Sequence, residues 1–424
     1  MRTQTENAAR VVVIGAGMAG ARLAARVPGV TVIGEEEHAP YNRVLLAEVL
    51  AGRYAPDVIA LPPADVRRGV RVVRIDPADR LVHCDDGSVV RYGRLVLATG
   101  SNPVLPPLRG LGNTLPDGVH PFRTLDDCLA LRAAVRPGTR AVVIGGGLLG
   151  VSAARALAEC GAQVVLAQQG EHLMERQLDA ESAGLLRRHL EALGVEVHTE
   201  CRVRGLRCAD SAVRAVELAD GYELEAEITV LACGVRPRTG LALAAGLDVR
   251  KGIVVDDELR TSDPYIHAVG DCAEHDSTVY GLAGAALEQA DVLAEVLAGR
   301  PARYTGTRAL TRLTLRSPAA SAAPAPALAG ALAAGTAATA PATGALDLAA
   351  FGDSRPLPGD DVIRLADATK GAYRSVVVRG DRLAGGVLFG DLGAVGTLAR
   401  TWQNDEPLPA DMSLLHLLTN DGGL

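Results

Sequence analysis

The sequence predicts an α/β protein: two Rossmann-like, three-layer dinucleotide-binding domains and a small C-terminal α+β domain. Three observations predict it. The segments VVVIGAGMAG at 11–20 and AVVIGGGLLG at 141–150 each join a β-branched run, a G-x-G-x-x-G loop and an Ala-rich stretch. A second pair, LVLATGSNP at 95–103 and TVLACGVRP at 229–237, follows the first at nearly equal offset. The apolar runs between them are continuous, as in parallel strands buried on both faces. A repeat in two features at matched spacing points to two nucleotide-binding units in one chain.

The elements follow in order. Buried strands are expected over Val11–Ile14, Thr31–Gly34, Leu95–Ala98, Ala141–Ile144, Gln163–Ala167, Ile228–Ala232 and Ile266–Val269. Helices are expected after each glycine loop and over Asp179–Leu193 and Ala283–Leu297. The first domain then comprises 1–120 and 248–303, and the second 121–247. The stretch 317–346 lacks charge and is rich in Ala and Pro, which reads as a low-complexity insertion. It interrupts a C-terminal domain of 304–316 and 347–424, in which SVVVRGDRLAGGVLFGD at 375–391 reads as a hairpin.

Composition narrows the function. Hydrophobic residues make up 48% of the 424 residues and aromatics only 3%, so Ala, Val and Leu must fill the cores. The net charge of −7 disfavours a nucleic-acid partner, whose phosphates attract Lys and Arg. Prolines interrupt the apolar insertion, which therefore does not read as a membrane span. The seven cysteines form no C-x-x-C pair, which points to free thiols in a reducing cytoplasm. No basic segment precedes the apolar run at Val11, so a secretory leader is not expected. The nine histidines show no metal-ligand spacing, and no metal site is expected.

The chemistry resides in the glycine loops. In the first, Gly15 permits the turn, Gly17 lets backbone approach a pyrophosphate, and Gly20 lets helix pack on strand. The following helix N-terminus offers free N–H groups to phosphate. Of the acids Glu35, Glu36 and Glu37 after the next strand, Glu35 comes first and is favoured to accept from ribose hydroxyls. Alone such a loop also serves plain packing; with strand, helix and acid it reads as a nucleotide site. The second loop repeats this with Gly145, Gly147 and Gly150. Its strand ends in Gln168, with neither an acid for a ribose hydroxyl nor an Arg for a 2′-phosphate; Arg176 reaches only if the loop folds back. NADH and NADPH both stay open. Gly270-Asp271, just past a buried strand, suits a polyol chain; alone Asp271 reads equally well as a helix cap, but beside two nucleotide folds the polyol reading wins.

These motifs resemble the two-dinucleotide flavoproteins of the pyridine nucleotide-disulfide oxidoreductase superfamily: both glycine loops, Ala98-Thr99-Gly100, and Gly270-Asp271. More narrowly, PYNRV at 40–44, EVLAG at 48–52, LMERQLD at 173–179, YTGT at 304–307, LAAFGD at 348–353, KGAYRSVVV at 370–378 and LAGGVLFGD at 383–391 resemble the flavin part of the assimilatory nitrite reductase large subunit. The resemblance implies FAD in the first domain, with Arg43 by the flavin or its pyrophosphate. It places Ala98, Thr99 and Gly100 along the FAD, Asp271 on the ribityl chain, and the helix start at Leu282 toward the flavin pyrimidine edge. It implies NADH or NADPH in the second domain, on Gly145, Gly147, Leu148, Gly150, Gln168 and Gly234.

The departures matter as well. No cysteine follows Cys272, so ligands for the [2Fe-2S] and sirohaem modules of those subunits are missing, and nitrite reduction by this sequence is not expected. The stretch Tyr41–Gly52 has no cysteine for disulfide chemistry. Glu48 and Ser152 stand where many relatives place a Lys and a Glu, so no catalytic side chain is assigned and the flavin carries the redox step. The expectation is an FAD-dependent NAD(P)H oxidoreductase that feeds a separate protein, an iron–sulfur protein or a nitrate/nitrite reductase subunit. The alternatives are a ferredoxin- or rubredoxin-type reductase of another pathway, a flavin-binding regulatory protein, or an NAD(P)H oxidase.

Overall fold

The computed structural model describes residues 10–62, 65–112, 114–308, 310–316, 345–367, 369, 371–409 and 413–418. It is a mixed α/β protein in which two five-stranded sheets carry parallel strands and others are antiparallel. Residues 317–344 of the Ala/Pro-rich stretch lie outside the described residues. The chain divides into two compact units, 1–105 with 121–133 and 234–307, and 106–120 with 134–233 and 308–424.

The first unit is built on a five-stranded parallel sheet in the order Ile266–Ala268, Arg94–Leu97, Val11–Ile14, Thr31–Ile33, Val66–Arg67. Val12 aligns with Thr31 on one side and Leu95 on the other. Val12, Val13, Val32, Leu95, Val96 and Ile266 are fully buried, which explains why these strands read as unbroken apolar runs. The helices Met18–Arg26 and Ala283–Leu297 are tied by Arg22 Nε, 2.7 Å from an Asp291 carboxylate oxygen. A three-stranded antiparallel meander, Val72–Asp76, Leu81–Cys84 and Val89–Arg91, completes the core.

The repeated segments meet here. Ser101–Pro103 pairs antiparallel with Val235–Pro237, with Asn102 opposite Arg236. Segments 234–247 and 121–133, read from sequence as second-domain, therefore pack in the first unit. The second of these is anchored through the helix Leu125–Ala134. Its Cys128 thiol donates to Leu46 O at 3.3 Å and its Arg132 to Val49 O at 3.0 Å. Residues 304–307 also pack with the first unit, not with the C-terminal strands.

The second unit holds the other nucleotide-type sheet, in the order Val195–His198, Gln163–Ala167, Arg140–Ile144, Ile228–Leu231, Val119–Pro121. An antiparallel layer of Val203–Ala209, Ala212–Leu218 and Glu223–Glu225 covers part of its core. The C-terminal strands form a five-stranded antiparallel sheet: Thr311–Arg316, Ala345–Gly352, Arg382–Phe389, Ala372–Arg379, Asp361–Asp367. The expected hairpin is present, turning at Gly380 with Arg379 opposite Arg382. The helix Val395–Gln403 buries Leu398 against Phe351 and Val376 in a separate core. Tyr373 Oη donates to Asp179 at 2.7 Å, joining this sheet to the nucleotide part of the same unit.

Candidate functional site

The first glycine loop has a distinct task at each glycine. Gly15 adopts φ +111°, and a Cβ there would lie 2.1 Å from Ala98 O. A Cβ on Gly20 would lie 2.0 Å from Gly15 O, so this glycine sets the helix–strand spacing. A Cβ on Gly17 would meet only Arg43 Nε at 3.8 Å. Gly17 therefore faces open space with a guanidinium beside it. It also precedes the helix Met18–Arg26, which has no side-chain cap and no acid in its first turn. Free N–H groups, the positive end of the helix and Arg43 together make an anion cradle.

The acids after Thr31–Ile33 are engaged. Glu35, favoured from sequence for a ribose, is ion-paired with Arg238. Arg238 also bonds Asn102; its N–H donates to Gly100 O at 2.9 Å, and its carbonyl accepts from Thr99 Oγ1 at 2.8 Å. Glu36 instead accepts from Tyr41 Oη at 2.7 Å and pairs with Arg43. Tyr41 Oη in turn accepts from Arg43 Nη1 at 3.0 Å and from the Leu125 N–H at 2.8 Å. Burial, and after it the nearby Glu36 carboxylate, raises the Tyr41 phenol well above its ordinary range despite the opposing Arg43 charge, so it stays neutral.

The strand ends converge on Asp271. Its carboxylate lies 2.6 Å from Arg123 Nη2 and accepts from Ser101 Oγ at 2.9 Å. Arg123 also donates to Ser101 Oγ at 2.7 Å. Gly270 takes φ +80° and donates its N–H to Gln289 Oε1 at 2.7 Å. Gly100, at φ +70°, has open space where a Cβ would point. Cys272 is fully buried against Leu97 O and Val269 O, and burial pushes its thiol up, away from reactivity. Leu282 begins the helix Ala283–Leu297, again with no side-chain cap.

The second loop reproduces this geometry. Gly145 has φ +110°, with a Cβ position 2.5 Å from Ala232 O. A Cβ on Gly150 would lie 1.8 Å from Gly145 O, whereas one on Gly147 meets nothing within 4 Å. Leu148 starts the helix Leu148–Glu159 without a side-chain cap. Gln168 folds back on the loop: its Oε1 accepts from the Gly146 N–H at 2.8 Å, leaving the amide NH2 as donor. The segment after it is tied back too, by Met174 N–H to Gly146 O at 2.9 Å, while Arg176 is exposed. Gly234, at φ +97°, is open at its Cβ position. It is placed in the first unit and the remaining residues of this loop in the second.

Sequence reasoning missed Arg123, Ser101, Arg238 and Gln289, and named Glu36 only as an alternative to Glu35. One local signal existed. Thr124 and Asp127 form a reciprocal cap, with Thr124 N–H to Asp127 at 2.8 Å and Asp127 N–H to Thr124 Oγ1 at 3.1 Å. That T-x-x-D pattern marks a helix start and leaves Arg123 just outside it. Elsewhere Glu48 pairs with Arg53 at 3.0 Å, and Ser152 Oγ donates to Leu148 O at 2.7 Å. Among the described residues no group of three or more His, Cys, Asp or Glu could hold a metal ion, and no helix is long and apolar enough to cross a membrane.

The family profile described as pyridine nucleotide-disulphide oxidoreductase matches residues 9–290. The chain is 32% identical to nitrite reductase [NAD(P)H] of Bacillus subtilis (strain 168), over 98% of this chain and 50% of that protein. It is 34% identical to the assimilatory nitrate reductase electron transfer subunit of the same organism, over 90% of this chain and 48% of that protein. It thus spans about half the length of these relatives. The putidaredoxin reductase–putidaredoxin complex superposes with a TM-score of 0.79 at 24% identity, over 96% of this chain and 98% of that chain, which shows the shared fold.

Proposed function

The chain belongs to the pyridine nucleotide-disulphide oxidoreductase family, and from that premise we propose that it passes electrons from NADH or NADPH through FAD to a separate protein in nitrate or nitrite assimilation. It is an FAD-dependent NAD(P)H oxidoreductase, related to the electron transfer subunit of an assimilatory nitrate reductase.

The carrying observation is the pair of open cradles at Gly17 and Gly147, each at an uncapped helix start. The residues present fit the flavin dinucleotide. Gly17 and Arg43 would hold its pyrophosphate, and Asp271 would bond its polyol chain while Arg123 keeps that carboxylate aimed. Gly15, Gly20, Ala98, Thr99 and Gly100 would shape the binding edge, and Glu35 or Glu36 would reach a ribose by exchanging an arginine. The N-terminus at Leu282 would place partial positive charge by the pyrimidine edge. Gly145, Gly147, Leu148, Gly150 and Gln168 would hold the nicotinamide nucleotide.

Bound FAD supplies the two-electron chemistry, so no side chain need act as acid, base or nucleophile. The protein's share is to bind and to orient. The similarity to an electron transfer subunit favours a protein acceptor, an iron–sulfur protein or a nitrate/nitrite reductase subunit, over a small molecule.

Anaerobic addition of NADH and NADPH tests the reductase reading: one or both should bleach the flavin band. Reoxidation by purified candidate proteins then tests the pathway. Fast turnover with a nitrate-assimilation protein supports the proposal. Turnover only with a ferredoxin or rubredoxin of another pathway replaces it, and rapid oxygen consumption alone makes the chain an oxidase.

A further inference from the structure

The YTGT segment at 304–307 closes a chain of polar groups that reaches the Gly270-Asp271 turn from behind. The Gly270 N–H donates to Gln289 Oε1 at 2.7 Å. Gln289 is 1% exposed, and its amide is a polar neighbour of the Tyr304 phenol, as is Tyr280. Tyr304 Oη is 2.6 Å from Thr307 Oγ1, and Thr307 Oγ1 donates to Glu288 Oε2 at 2.6 Å. Every member lies in the first unit.

The direction of the chain is determined at both ends. A backbone N–H can only donate, so Gln289 turns its oxygen to Gly270 and its NH2 to Tyr304. A carboxylate can only accept, so Thr307 gives its proton to Glu288 and must accept from Tyr304. Tyr304 therefore donates to Thr307, which leaves its lone pairs for the Gln289 amide beside it. The polar groups are aligned one way, from Gly270 to the exposed carboxylate, and dipoles so aligned polarise one another. The tyrosine is itself held in place. It is 1% exposed, its N–H donates to Asp257 O at 2.7 Å, and its ring meets His275 and Tyr280 edge-on at 4.9 and 5.8 Å.

We propose that Gln289, Tyr304, Thr307 and Glu288 are positioning residues for the flavin: they fix the Gly270-Asp271 turn so that the Asp271 carboxylate meets the FAD polyol chain at a set place. This rests on the reading of the first unit as the FAD site.

The test uses the holoenzyme with the variants Tyr304→Phe, Gln289→Met and Glu288→Gln, and Leu293→Val as a packing control in the same core. FAD release on dilution is followed by flavin fluorescence, the flavin midpoint potential by redox titration, and stability by thermal melting. Tyr304→Phe and Gln289→Met should release FAD about tenfold faster and shift the potential. Glu288→Gln, an isostere at the surface, should give a smaller change of the same sign, roughly two- to threefold. Leu293→Val should lower the melting temperature without either effect. Tyr304→Phe keeps the ring packing, so the test survives if Gln289→Met fails to fold. Wild-type release and potential in Tyr304→Phe, or losses that merely track melting temperature as in Leu293→Val, overturn the proposal. A wild-type chain that neither carries nor takes up flavin overturns the FAD reading instead.

Discussion

Arg123 holds its guanidinium 2.6 Å from the carboxylate of Asp271, across 148 residues of sequence. The pair is mostly buried, with side-chain exposures of 19% and 15%. Removing one partner strands the other charge. Arg123→Met should therefore lower stability by about 2–4 kcal/mol and weaken FAD retention. Arg123→Met with Asp271→Asn should regain most of the stability but not the cofactor. Urea unfolding and flavin content measure both. A loss under about 0.5 kcal/mol would mean that solvent already screens the pair.

Alanine at the glycines should separate folding from binding. Gly20→Ala and Gly150→Ala press a methyl into backbone oxygens at 2.0 and 1.8 Å, so each should cost about 3 kcal/mol or more, or prevent folding. Gly17→Ala and Gly147→Ala have room in the chain itself. The first should fold and lose FAD; the second should fold, stay yellow and bleach poorly with NADH or NADPH. Circular dichroism beside absorbance at the flavin band reads all four. A colourless Gly147→Ala or a yellow Gly17→Ala contradicts the assignment of the two loops.

Gln168 presents an amide donor where an acid would accept from a ribose hydroxyl. Gln168→Glu should weaken NADPH by roughly tenfold or more, through repulsion of the 2′-phosphate, and leave NADH unchanged or improved. The ratio of KM values for the two nucleotides is the measurement. An unaltered ratio would place the adenosine ribose elsewhere.

His267 is 2% exposed on the strand leading to Gly270-Asp271, and burial, with Arg260 and Arg94 adding to it, lowers its pKa to about 4 from an ordinary 6.5. The folded chain keeps the ring neutral over a range in which the unfolded chain protonates it. Its contribution is therefore fully present above pH 6.5 and is lost as pH falls toward 4, by up to about 3 kcal/mol. His267→Gln should flatten that part of the stability–pH curve. An equally steep acid limb in the variant would assign the effect to other groups.

The two glycine loops and their strands were legible because their causes are local: turn, close approach and continuous burial are each written into neighbouring residues. Asp271 was legible for the same reason, sitting directly after a buried strand and a glycine. Its partners were not. Arg123 reaches it because the Leu125–Ala134 helix packs on Leu46 and Val49, and Ser101 because the strand before it lies beside Ile266–Ala268, both tertiary events without a sequence period. The choice among Glu35, Glu36 and Glu37 turned on which carboxylate meets which arginine, and Arg238, the partner of Glu35, comes 203 positions later. The first-unit membership of 234–247 was hidden likewise. It follows from three residues, Val235–Pro237, pairing with the repeat's other copy.

Two helices are finished by side chains, Leu125–Ala134 by the Thr124–Asp127 pair and Ala180–Ala192 by Asp179 accepting from Ser182 N–H. Those starting at Met18, Leu148 and Ala283 are not. Cofactor phosphates and the flavin ring edge would complete them, so the folded state should gain stability with flavin concentration by mass action. A cell short of riboflavin would then hold less of this protein as well as less active protein, because chains without flavin open more often and are degraded sooner.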